Sequence, residues 1–279
     1  MELELQFEFA GTYLDDVSVV QKQSPVTYAL DAQVRVYGSS PFTTNHNSPT
    51  IIYAYDNAGN RSTCSQPVSY THNKPDSMLH DLAGNVTNFV RGGVVFDLEW
   101  NHAGQLVEVR KNGALAESYA YDALGRRVRT TTTVPYSSTI YHIHNGAQVI
   151  ADTDANGNVI RSYTWGPGID NLLAVTVSGG SYYTLTDEQG SVNGYLDYTG
   201  VVAHQEFDAW GNRVHSYGNY FALSFPYRWQ GREFSEATGF YYFRARWYDP
   251  VSSRFLSKDP IGIADGLNLY VFCKNDPVN

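Results

Sequence analysis

At 279 residues the chain is long enough for one large domain or two modest ones, and 42% hydrophobic residues supply a core. Nineteen Lys and Arg against 28 Asp and Glu leave a formal charge of −9, which excludes the clustered cation excess of a nucleic-acid-binding surface. No run of about 18 apolar residues is present to span a membrane as a helix, and Cys64 and Cys273 make neither a disulfide framework nor a CxxC zinc pattern, so both read as free buried thiols.

Residues 1–74 open with "MELELQFEFAGTYLDD", which alternates apolar with acidic residues and has no basic leader. That is a strand pattern and not a signal peptide, so any export would rest on information outside this sequence. Further strands are expected in "VTYALDAQVRVYG" and "TIIYAYD". The stretch "TIIYAYDNAGNRSTCSQPVSY" resembles the last hairpin of an immunoglobulin-like bacterial surface module. This zone is therefore either a truncated module of that kind or the first units of the repeat that occupies residues 75–200.

In residues 75–200, glycines of an aromatic/acidic-x-x-Gly unit stand at Gly84, Gly104, Gly125, Gly157 and Gly190, with another at Gly211; they are spaced 20, 21, 32, 33 and 21 residues apart. A period near twenty with two insertions predicts stacked supersecondary units. In "SYAYDALGRRVRT", Tyr119 and Tyr121 share one strand face, Asp122 starts a turn by accepting a backbone N–H bond, and Gly125 closes it with positive φ. The pairs Asp56/Gly59, Asp81/Gly84 and Asp208/Gly211 are expected to make the same turn. One such hairpin is marginal in water, and stacking buries its aromatic face. The run Arg126-Arg127-Val128-Arg129 reads as solvated charge on an edge.

Residues 201–279 are crowded with aromatics. If "YYFRARWY" were one strand, Tyr241, Phe243, Ala245 and Trp247 would share one face and Tyr242, Arg244, Arg246 and Tyr248 the other. Such a strand is buried on both sides, with guanidinium groups set against rings or carboxylates. "GREFSEATG" reads as a short helical turn; no other stretch has a 3.6-residue period.

The last forty or so residues, "FYYFRARWYDPVSSRFLSKDPIGIADGLNLYVFCKNDPVN", closely resemble the core that closes Rhs (YD-repeat) proteins. The matching positions are Tyr241, Tyr242, Arg244, Arg246, Tyr248, Asp249 and Pro250, then Arg254, Phe255, Asp259 and Pro260, then Gly262, Gly266, Asn268, Tyr270 and 275–279. Upstream, "YDALGRRVRT" and its relatives resemble the YD repeats, so the resemblance covers roughly residues 75–279. It implies an all-β fold with little helix: stacked hairpins forming a curved sheet or partial shell, plugged by the core. It also implies a covalently linked C-terminal toxin as cargo, delivery machinery or cell-surface glycans as further partners, and a secreted or cell-surface location.

The resemblance further implies self-cleavage by two aspartates and an arginine, for which Asp259 and Arg246 match the first aspartate and the arginine. The second aspartate belongs to another Asp-Pro-x-Gly, expected beyond Asn279 together with the scissile bond, and Asp276 stands where the family has Asn. One carboxylate cannot serve as both acid and base, so the site is expected to be incomplete in this chain. As turn formers, the Asp-Pro pairs at 249, 259 and 276 need no catalytic role.

Outside the resemblance, His142 and His144 have the spacing of two zinc ligands but no third, and no metal or cofactor is expected. Asn60 and Asn85 match a glycosylation acceptor pattern but sit at turn positions. Three functions stay open: a shell segment that contains and presents cargo, a carbohydrate- or surface-binding module, and an autoprotease complete only in a longer chain. Tyrosines buried between layers would favour the first, and a row of exposed rings the second.

Overall fold

The computed structural model describes Asn60 and, from residue 70 onward, all residues but 135, 178, 219–224, 276, 278 and 279. Before that it describes the backbones of β1 (Ala29–Leu30), β2 (Val36–Ser39), β3 (Ile51–Tyr55) and β4 (Arg61–Thr63), paired in that order as an antiparallel sheet. Asp56, Gly59 and Cys64 lie outside the described residues. The strands on either side of Asp56 and Gly59 pair Tyr55 with Arg61.

A short hairpin, β5 (Tyr70–Thr71) and β6 (Lys74–Pro75), precedes the main ribbon. The ribbon begins with β7 (Met78–His80), β8 (Val86–Arg91), β9 (Val94–Trp100), β10 (Leu106–Lys111), β11 (Ala114–Tyr121), β12 (Arg127–Thr132) and β13 (Ser138–Asn145). It continues with β14 (Gln148–Thr153), β15 (Val159–Trp165), β16 (Leu172–Val177), β17 (Gly180–Thr186), β18 (Val192–Asp197), β19 (Gly200–Phe207) and β20 (Arg213–Gly218). Every strand pairs antiparallel with the next, giving one 14-stranded sheet in strict chain order.

One turn is built six times in this ribbon. Asp122 N donates to Arg126 O and Gly125 N to Asp122 O, each at 3.0 Å. The Asp122 Oδ1 accepts from the Leu124 and Arg126 amides at 2.9 Å, and Gly125, at φ +79°, closes the loop. The backbone bonds recur at Asp81, Asn101, Asp154, Asp187 and Asp208. The flanking strands close on the same six-residue offset each time: His80 with Val86, Trp100 with Leu106, Tyr121 with Arg127, Thr153 with Val159, Thr186 with Val192 and Phe207 with Arg213. The two long glycine intervals are three strands where the others are two. An odd number of strands moves the turn to the opposite border of the sheet, so the turns at 81, 101, 122, 187 and 208 lie along one border and the Asp154 turn along the other.

From Phe225 the chain leaves the sheet and forms a plug. It contains β21 (Glu233–Phe234), β22 (Tyr241–Phe243), β23 (Arg246–Asp249) and β24 (Arg254–Phe255), an antiparallel sheet in chain order, and three single 3-10 turns. The expected single strand across "YYFRARWY" is instead a tight hairpin, with Tyr241 opposite Tyr248, Tyr242 opposite Trp247 and Phe243 opposite Arg246. The two-residue turn, with Arg244 at φ +59°, resets the side-chain alternation: Tyr241 and Tyr248 join one cluster, Tyr242 and Trp247 another. "GREFSEATG" supplies β21 and a turn, while the 3-10 turn lies just before it at Trp229–Gly231.

The plug's contacts require the sheet to curl. Tyr248 donates to the Trp210 carbonyl at 3.1 Å in the turn after β19, and the adjacent Asp249 pairs with Arg91 at the end of β8. These strands are eleven positions apart, ~50 Å if the sheet were flat, whereas consecutive Cα atoms are only ~3.8 Å apart. The inner face of β8–β11 packs Phe89, Phe96, Leu98, Leu106 and Tyr119 against Phe240 and Trp247 of the plug. Farther along, Tyr163, Val175, Val192 and Tyr195 pack against Phe225 and Tyr227.

Candidate functional site

The functional geometry is the seam where the plug meets the turn-bearing border, and hydrogen bonds from large aromatics define it. Tyr241 donates to Gly211 O at 2.9 Å and Tyr270 to Gly84 O at 2.8 Å. Trp247 Nε1 donates to the Tyr121 hydroxyl at 3.2 Å, and the Tyr242 hydroxyl accepts from Arg127 N at 3.3 Å. Backbone bonds add Val192 N to Arg228 O and Val86 N to Leu256 O. Buried phenols pair with backbone carbonyls here because an unpaired hydroxyl would carry its full desolvation cost.

Ion pairs cross the same seam: Arg91 with Asp249, Arg127 with Glu233, and Arg232 and Arg244 with Asp170. This corrects the reading of Arg126–Arg129 as solvated edge charge. Arg127 is 5% exposed and lies over the Tyr242 ring, and Arg126 is tied to Asp122; only Arg129 is exposed. Strand alternation points Arg127 inward, where the plug offers Glu233. Nothing upstream in the sequence signals that partner, 106 residues away.

The core-motif residues serve chiefly as joints. Asp249 starts a turn by accepting from Val251 N and Ser252 N, and the carbonyl of Pro250 accepts from Asn212. Arg254 reaches Asn60, Asn268 and the carbonyl of Asn73, and Phe255 packs between Tyr248 and Phe272. Asn268 Oδ1 accepts from Tyr270 N; Gly262 and Gly266 bound a 3-10 turn that follows Pro260. Cys273 is exposed and not buried as expected.

Asp259 and Arg246 are brought together. Arg246 on β23 places Nη2 2.7 Å from Asp259 Oδ2, and its guanidinium lies 3.6 Å from the Phe255 ring centroid. Asp259 is itself fixed, its amide donating to Leu269 O and its Oδ1 accepting from Ile261 N, both at 2.9 Å. The pair, with both side chains largely buried, can hold a carboxylate in one orientation. Asp276 lies outside the described residues.

His142 and His144 do not converge on a metal. His142 Nδ1 bonds Asp152 at 2.7 Å and Nε2 bonds Thr130 at 2.9 Å, while His144 Nε2 bonds Arg127 O. Among the described residues no group of three or more His, Cys, Asp or Glu side chains is placed to hold a metal. Asp152 also accepts from Arg161 Nε at 3.0 Å and from Tyr163 at 2.6 Å, making a four-residue polar knot inside the wall. Burial alone would push its carboxyl up; the His142 bond, the Arg161 charge and the Tyr163 bond outweigh that and hold it well below the ordinary carboxylate range.

Sequence reasoning missed the residue directly after the turn glycine. Asn85, Asn158 and Asn212 each return Nδ2 to the second oxygen of the turn aspartate at 2.9 Å, and Arg126 does so with Nε at 2.8 Å. The signal was present: the glycine of each of the six ribbon turns is followed by a polar residue. Asn85 and Asn60, the two glycosylation-pattern asparagines, are both buried and bonded.

The family model described as Teneurin YD-shell matches residues 1–278. The chain is 31% identical over 256 residues to the tRNA3(Ser)-specific nuclease WapA of Bacillus spizizenii, covering 84% of this chain and 11% of that protein. It is 28% identical to toxin subunit YenC2 of Yersinia entomophaga over 90% of this chain and 28% of the subunit. In structure it resembles the TcdB2-TccC3 crystal structure, with a TM-score of 0.69 and 22% identity over 92% of this chain and 16% of that one. The chain thus spans between about a tenth and three tenths of these three relatives.

Proposed function

We propose, from the premise that this chain belongs to the Teneurin YD-shell family, that it encloses and presents a polypeptide cargo attached after its core. The chain is a shell segment of a polymorphic-toxin type of protein. The observation that supports containment is the plug: residues 225–275 fill the mouth of a curled ribbon, residues 76–218, and are bonded at four of the five Asp- or Asn-started glycine turns on that border. Tyrosines support the same reading over surface binding, since Tyr119, Tyr163, Tyr195, Tyr227, Tyr241, Tyr242, Tyr248 and Tyr270 are all buried. We place the protein outside the cell or at its surface; among the described residues no helix is long and apolar enough to cross a membrane.

Within that function Asp259 and Arg246 supply half of an aspartyl cleavage site, Arg246 orienting the Asp259 carboxylate toward a second carboxyl carried farther along a longer product. Two measurements on the longest product carrying this segment test the reading. The part following the core should resist added protease until the shell is unfolded; digestion at the rate of the isolated part would end the containment proposal. Asp259→Asn should leave that part uncut while leaving the unfolding midpoint unchanged, and continued release in the variant would end the cleavage proposal.

A further inference from the structure

A cavity of about 520 Å³ lies where the β5–β6 hairpin meets the plug; neither Arg246 nor Asp259 lines it, although Lys258 and Leu269 of its wall adjoin Asp259. Its charged lining is one-sided. Lys74, Lys258, His72 and His80 line it, against the single carboxylate of Asp76 on the exposed rim. In a chain with a net charge of −9, counted with neutral histidines, two ammonium groups facing one carboxylate is a local inversion of the overall balance. No carboxylate of the described residues lies within ion-pair distance of Lys74 or Lys258. Asp81, whose charge is felt at His80, has its oxygens engaged by Gly84 N, Asn85 N and Asn85 Nδ2.

The rest of the wall is organised around that charge. His80 is half-buried; its Nδ1 donates to the Met78 carbonyl at 3.0 Å, so Nε2 can donate to an anion only once the ring takes up a second proton, and the Tyr270 ring packs edge-on against it. Burial, with the nearby Lys74 and Arg254 charges, pushes the imidazole below its ordinary value against the opposing Met78 hydrogen bond and Asp81 charge. Met78, Leu79, Leu267 and Leu269 give the same cavity apolar sides. The combination of two ammonium groups, an imidazole and an apolar wall matches an anionic head on an apolar body.

We propose that this cavity is a binding site for a small organic carboxylate, its head held by Lys74 and Lys258 beside His80 and its apolar part against Leu267 and Leu269. The test uses the 279-residue chain with benzoate as probe, benzamide as its neutral counterpart, and inorganic phosphate as an anion without an apolar body. Histidine and lysine side-chain NMR resonances report binding. Benzoate should shift His80 and Lys258 saturably, benzamide should not, and phosphate should bind more weakly than benzoate. Lys258→Gln and Lys74→Gln should each weaken benzoate by about tenfold, with Lys258→Arg close to the parent; Lys258 is exposed and Lys74 half-buried, and unchanged circular dichroism would establish folding. Absence of saturation, equal response to benzamide, phosphate binding as tightly as benzoate, or benzoate affinity indifferent to both glutamine variants would each overturn the proposal.

Discussion

Asp152 shows how much one side chain can hold. It is 2% exposed and accepts from three different side chains, so removing it strands an arginine, a histidine and a phenol inside the wall. Asp152→Ala should therefore cost about 3–5 kcal/mol in urea unfolding, the scale for breaking a buried charge pair from one side. The same carboxyl has a pH signature. Its folded-state pKa lies below the ordinary 3.8, so its stabilisation is present above that value and is lost as pH falls through and below it. The stability difference between the parent and Asp152→Asn should thus shrink between about pH 5 and pH 2. A difference that stays constant over that range would show that the knot does not titrate as described. Asp187 has the opposite tendency: burial raises its carboxyl, because the plug covers that turn at Gln230 and Arg228.

At the scale of the element, the repeated turn is one local solution used in two environments. Gly157 and Gly211 both have positive φ, near +84° and +85°, but a Cβ on Gly157 would meet open space, whereas one on Gly211 would come within 2.6 Å of the Trp229 ring. Gly157→Ala should cost only backbone strain, about 1–2 kcal/mol. Gly211→Ala should cost clearly more, because Trp229 must leave its place against Tyr241 and Tyr248. Equal midpoint shifts for the two variants in thermal unfolding would show that the plug does not seat on the turn. The turn itself was legible in the sequence because its cause is local: an Asp or Asn acceptor and a glycine three residues on. Its placement on one border or the other was also available from strand parity, since intervals of 32 and 33 residues hold three strands and not two. The hairpin in "YYFRARWY" was not legible, because Arg244 takes positive φ without glycine, held there by its pairing with Asp170 at a distant point of the chain.

For the whole molecule, ribbon and plug have no separate cores. Phe240, Tyr242, Trp247 and Leu256 of the plug complete the cluster of β8–β11, and Phe225 and Tyr227 complete that of β14–β19. They should unfold together, so tryptophan fluorescence and far-ultraviolet circular dichroism should give coincident denaturant curves. Two separated transitions would show that the plug is an independent unit. Trp247→Ala should lower both curves by about 3–5 kcal/mol, since its ring packs on Tyr119 and Tyr242 at the centre of the joint.

The sequence by itself determined the ribbon's hairpins, the turn chemistry, the aromatic inner face and the family, because alternation, Asp-x-x-Gly spacing and an ordered run of core residues are properties of neighbours along the chain. Only the tertiary structure decided that Arg127 is a buried latch to Glu233, that Asp170 anchors two plug arginines, and that Lys74 and Lys258 share one cavity. Those pairings join residues 62 to 184 positions apart, and it is the curl of the sheet around the plug, a consequence of burying both aromatic faces at once, that brings them within reach.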